Sequence, residues 1–155
     1  MELNDEIHIK APVAVVYAAL NDPAILQECI PGCEELTKHS DTELEAKVVL
    51  KVGPVKARFS GDVTLDTAGA PHRFSLTGSG NGGVAGFAKG GADVTLEDVE
   101  GETLLKYTAK ADIGGKIAQL GSRLMTSTAK KLAGKFFSRF AEIVDEKHPL
   151  QGQES

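Results

Sequence analysis

Up to about Asp112 this chain alternates apolar and polar side chains; beyond it the apolar residues return at threes, fours and eights. A period of two writes strands with one buried face, and the longer period writes an amphipathic helix. Leu3, Ile7 and Ile9 alternate with Glu6, His8 and Lys10 as an opening strand. Pro12 breaks it and suits the first turn of a helix through Val13, Val16, Tyr17 and Leu20. Asn21-Asp22-Pro23 repeats the device, with Asp22 placed to cap a second short helix, Ala24 to Cys29. Ile30-Pro31-Gly32 ends that helix in a turn.

Six more strands follow. Leu36 marks the first, and Leu44, Ala46, Val48, Leu50 and Val52 share one face of the next. After Gly53-Pro54 come Ala57, Phe59, Gly61, Val63 and Leu65, and after Gly69-Ala70-Pro71 come Phe74, Leu76, Gly78 and Gly80. Ala92, Val94 and Leu96 form another face, then Leu105, Tyr107, Ala109 and Ala111. One apolar and one charged face per strand predict an antiparallel meander with a wet side. From Ile113 to Ala141 the spacing predicts one long helix of about 45 Å, bearing Ile117, Leu120, Leu124, Leu132, Phe136 and Phe140. Strand, two helices, six strands and a long helix is the order of the helix-grip architecture, an α+β fold in which a curved antiparallel sheet wraps the C-terminal helix. Residues 1–146 make one domain in this reading, and 147–155 a short polar tail.

Charge sharpens the picture. The chain carries −5 overall, yet Ile113–Ala141 holds six basic residues and no acidic one, leaving −11 for the rest. An acidic body excludes a general nucleic-acid binder. The basic face formed by Arg123, Lys130, Lys131, Lys135 and Arg139 instead suits an anionic membrane surface or an acidic protein partner. No apolar run has the length of a membrane span and no secretory signal opens the sequence, so a cytoplasmic location with peripheral membrane contact is expected.

Inward parity collects Val48, Leu50, Phe59, Val63, Phe74, Leu76, Val94, Leu96, Leu105, Leu120, Leu124 and Met125. Tyr107 adds one hydroxyl near the middle, Asp5 shares the inward parity of the first strand, and Gly78 and Gly80 leave room there. No nucleophile–base or acid–base constellation falls on these faces. An apolar pocket with one or two polar groups describes a site for an oily ligand, with Ile30 and Pro31 as one lip of its entrance. The glycines from Gly78 to Gly91 precede no helix and lack a Gly-Lys-Ser/Thr context, so they serve bending or close backbone approach rather than phosphate binding. Cys29 and Cys33, across a Pro-Gly turn, have no His pair to complete a metal site, and no metal is expected.

Four segments carry a family resemblance: Asn21-Asp22-Pro23 with Cys29-Ile30-Pro31-Gly32-Cys33-Glu34; Val52-Gly53-Pro54-Val55 with Phe59 and Gly61; the glycine run from Gly78 to Gly91; and Leu120-Gly121-Ser122-Arg123 leading into Phe136-Phe137. In this order they resemble the family of the carbon monoxide dehydrogenase G-subunit, within the SRPBCC, START and Bet v 1-like superfamily, over about residues 1–146. The Cys-Ile-Pro-Gly-Cys-Glu string is the most specific piece. The resemblance implies a non-enzymatic accessory protein of a molybdenum hydroxylase, which carries a quinone or similar lipid in its cavity and assists recruitment of that enzyme to the membrane. Tyr17 stands where many members have Trp, and many members also continue into a long tail with a membrane-binding end. Two alternatives stay open at this point: a polyketide cyclase or dehydratase, which fold analogy alone supports, and a docking protein with a filled interior.

Overall fold

The computed structural model describes residues 1–147, and the tail from His148 onward lies outside the described residues. Seven strands form one antiparallel sheet: β1 (Glu2–Ile9), β2 (Cys33–Lys38), β3 (Glu43–Val52), β4 (Val55–Asp66), β5 (Arg73–Asn81), β6 (Phe87–Val99) and β7 (Glu102–Gly114). Their order across the sheet is β1-β7-β6-β5-β4-β3-β2, so all but β1 follow the meander that the turn spacing predicts. β1 joins the last strand, with Asp5 opposite Tyr107 and Ile7 opposite Leu105. Helices α1 (Val13–Leu20) and α2 (Pro23–Cys29) lie between β1 and β2 in sequence, and α3 (Ser122–Lys147) closes the fold.

The capping logic holds at α2. Asp22 accepts hydrogen bonds from the main-chain N–H groups of Ala24 (2.9 Å) and Ile25 (3.4 Å), with Pro23 at the first helical position. These are donors that a helix start otherwise leaves unpaired. Thr103, the one buried polar residue among the described residues, donates its hydroxyl to the Ala11 carbonyl at 2.7 Å and ties β7 to the turn after β1.

The long helix starts later than its periodicity predicts. β7 continues to Gly114, which pairs with Phe87, and a short 3-10 helix (Lys116–Leu120) intervenes before α3. Gly115 (φ 81°) and Gly121 (φ 101°) bracket that 3-10 helix in conformations that side-chain-bearing residues rarely adopt, and this breaks the continuous helix. The 26 residues of α3 span about 39 Å rather than 45 Å. Lys116 consequently lies off α3, on the 3-10 helix.

Two apolar clusters hold the halves together. One joins α1, α2, the central strands and the C-terminal half of α3 through Val16, Ile25, Leu96, Leu105, Phe140 and Val144. The other gathers Val52, Phe59, Ala85, Ile117 and Met125, with Leu50, Leu120 and Leu124 packed against them, beneath the start of α3.

Candidate functional site

A cavity of about 420 Å³ lies between the sheet and the middle of α3. Its sheet wall comprises Leu3 of β1, Leu36 and Lys38 of β2, Leu44 and Ala46 of β3, and Val63 and Leu65 of β4. Phe74 and Leu76 of β5, Ala92 and Val94 of β6, and Leu105, Tyr107 and Ala109 of β7 continue it. Ala133, Phe136 and Phe137 supply the α3 wall, while Leu20, Asn21, Leu26 and Ile30 close the side of α1 and α2. Only Asn21, Lys38 and Tyr107 in this lining are polar. At roughly 30 Å³ per water-sized group the space holds about fourteen heavy atoms.

Of the residues expected to face a ligand, Val63, Phe74, Leu76, Val94, Leu105 and Tyr107 border this cavity, and Ile30 forms part of its wall. Others lie elsewhere. Leu50, Phe59, Leu120, Leu124 and Met125 belong to the second apolar cluster, and Val48 pairs with Phe59 beside it. Leu96 is 1% exposed within solid core. Pro31 borders a separate outer groove with Leu50, Leu124, Lys131 and Lys135.

The physical reason is depth. Side-chain parity decides which face of a strand a residue occupies, but position along the strand decides which layer it meets. The late start of α3 lets its first turns rest on the β3–β4 hairpin, and this fills that end. Gly78 and Gly80 do not border the cavity either; Gly78 faces Val63 and Gly90 across its neighbouring strands. A Cβ on Gly90 would drive into the Lys110 carbonyl, so close strand approach accounts for that glycine.

Leu3, Tyr107, Ala133 and Phe137 line both the cavity and an outer groove between β1 and α3. The Tyr107 and Phe137 rings stack at 5.5 Å with an interplanar angle of 19°, making a partition between the two spaces. Burial, with the Asp5 carboxylate as a second cause, pushes the Tyr107 phenol above its ordinary range. Asp5 itself is exposed in the outer groove, where its carboxylate accepts from the Glu6 N–H at 2.8 Å.

Lys38 escapes a search for apolar inward residues, although it stands two residues after Leu36, and so on the apolar face of β2. Its ammonium donates to the Asn21 main-chain carbonyl at 3.3 Å, and the Asn21 amide donates to the Tyr17 carbonyl at 3.0 Å.

Cys29 is buried at the end of α2, and burial pushes its thiol up to about 11. Cys33 donates to the Glu35 carbonyl at 3.3 Å. Among the described residues no cluster of three His, Cys, Asp or Glu is placed to hold a metal ion. Along α3, Arg123, Lys130, Lys131 and Lys135 are exposed. Arg139 is not a free cation, because it pairs with Glu28 of α2 and, at 3.7 Å, with Glu142. Among the described residues no helix is long and apolar enough to cross a membrane.

A sheet curled over a long C-terminal helix, with an apolar hollow between them, defines a helix-grip domain of the START and Bet v 1-like class. Solved structures agree. A START superfamily protein from Mycobacterium smegmatis superposes with a TM-score of 0.71 at 10% identity, covering 94% of this chain and 97% of that one. The Zhui aromatase/cyclase from Streptomyces sp. R1128 superposes with a TM-score of 0.71 at 8% identity, over 95% and 94%. A conserved protein from Geobacillus kaustophilus is more similar, with a TM-score of 0.88 and 29% identity over 96% and 97%. No match was found among curated proteins. The profile of the carbon monoxide dehydrogenase G-subunit (CoxG) matches residues 6–145, and the chain belongs to that family.

Proposed function

We propose that this chain is an accessory carrier for a molybdenum hydroxylase of the carbon monoxide dehydrogenase type, and that it takes a quinone-like hydrophobic ligand between the sheet and α3. The observation that carries the reading is the almost wholly apolar lining of the 420 Å³ cavity. Each CH₂ buried there is worth about 0.8 kcal/mol, and few polar groups oppose release. Space for about fourteen heavy atoms suits a fused-ring quinone with little of its tail. A long isoprenoid chain must therefore leave the cavity, and the β1–α3 groove on the far side of the Tyr107–Phe137 pair is the place for it. The exposed cations of α3 bring the carrier to anionic lipid at about 1 kcal/mol each near the surface, which keeps the contact reversible.

Native mass spectrometry of protein freshly purified from its own host tests this reading. A retained quinone or lipid is expected. An empty protein that also fails to bind added menadione in calorimetry would refute it.

A cyclase-type enzyme is the competing reading, and one observation favours it: Asp5 faces Tyr107 across the β1–β7 pair. Against it, Asp5 is exposed and lies outside the apolar cavity, and its carboxylate accepts from the Glu6 main-chain N–H. Asp5→Asn tests the point. Ligand binding unchanged and no turnover of an aromatic polyketide by the parent protein would leave the carrier reading standing.

A further inference from the structure

We propose that Lys38 is the polar anchor of the cavity, selecting ligands whose leading end carries a negatively charged oxygen. The inference rests on the carrier reading and adds the chemistry of the ligand's end. Lys38 lies on the edge strand β2, and Tyr107 on β7 near the opposite edge, so the two donors stand on opposite flanks of an apolar middle. Lys38 pairs with Leu44 of β3, another cavity residue, and Leu36 precedes it on the same face of β2, while the Asn21 carbonyl accepts from its ammonium.

A half-buried lysine lays its stem along apolar surface and keeps its ammonium for water or an acceptor. Here no carboxylate lies within ion-pair distance of it among the described residues, whereas Lys47 and Arg58 each have one and Lys106 and Arg139 two. An ammonium has three N–H donors, and the Asn21 carbonyl takes one at a long 3.3 Å. Two remain. Lys38 is half-buried, so water serves them while the cavity is empty. A ligand that fills the space displaces this water, and must offer an acceptor in its place or leave a charge unserved. An anionic oxygen does so best, since hydrogen bonds between ionised partners are the strong ones. The Asn21 side chain is held by the Tyr17 carbonyl, so the frame around the ammonium is fixed before a ligand arrives.

The test compares two naphthoquinones of equal heavy-atom count. Menadione bears a methyl group and is neutral, while lawsone bears a hydroxyl at the same place and is ionised at neutral pH. Calorimetric titration of the parent protein, Lys38→Met and Lys38→Arg with each compound reads the preference, and thermal melts verify that both variants fold. Lawsone is expected to bind the parent protein roughly tenfold more tightly than menadione. Lys38→Met should abolish that preference, and Lys38→Arg should retain it. If both compounds bind and the preference is absent or survives in Lys38→Met, the anchor is refuted and the carrier reading stands. If neither compound binds, both fall together.

Discussion

Replacing Ala46 and Ala109 by leucine separates a cavity built for a guest from space the fold merely failed to fill. Both alanines border the cavity, from β3 and β7, two strands that are not neighbours. Each substitution adds three carbons, and at roughly 30 Å³ per group the pair removes about 180 Å³ from the 420 Å³ available. Three newly buried carbons are worth up to about 2.4 kcal/mol per site at about 0.8 kcal/mol each, less about 0.5–1 kcal/mol for fixing the leucine rotamer. A net gain of about 1–2 kcal/mol per site is expected, since the added groups fill open space and displace no neighbour. For a domain of this size that raises Tm by roughly 2–8 °C per site. Ligand binding should move the other way, because a guest of a dozen heavy atoms no longer fits. Scanning calorimetry reads the first effect and isothermal titration with menadione the second. A double variant that melts lower than the parent would show that the space is already occupied by protein atoms. One that binds menadione as well as before would place the ligand elsewhere.

Other outcomes follow from single features. Asp22→Ala removes the cap from α2 and should cost about 1 kcal/mol, read as a lower urea midpoint with an unchanged slope. Charge reversal at Lys130, Lys131 and Lys135 together should abolish sedimentation with anionic vesicles, whereas Arg139→Gln should leave it nearly intact because that guanidinium is engaged by Glu28. Equal loss in both would overturn the assignment of the basic face. The Cys29 thiol, raised by burial to about 11, ionises less readily in the folded chain than in the unfolded one. Its contribution to stability is therefore complete below about pH 9 and declines as pH rises toward 11, which pH-dependent melts of the parent and Cys29→Ala would show by converging at high pH. At pH 8, alkylation followed by mass spectrometry should label Cys33 before Cys29.

Much of this protein follows from short-range pattern. Alternation places Leu44, Ala46, Val63, Leu76 and Leu105 on the inner face because successive side chains of a strand point to opposite sides. Asp22-Pro23 announces the start of α2 because an unpaired helix N-terminus needs an acceptor and tolerates proline. Parity alone did not single out Lys38, because Glu34 also stands two residues from Leu36; the irregularity between Cys33 and Glu35 separates them.

Tertiary structure decided the rest. Whether an inward residue borders open space or solid core depends on where α3 begins, and two glycines with positive φ delay that start to Ser122. Leu50, Phe59 and Met125 are thereby packed together, while Phe74, Tyr107 and Phe137 are left around a hollow. No local period encodes that division, because it arises from residues far apart in the chain meeting across the curled sheet. The pairing of Arg139 with Glu28 is of the same kind: composition marked a cation, and only the packing of α3 beside α2 took it out of the exposed set.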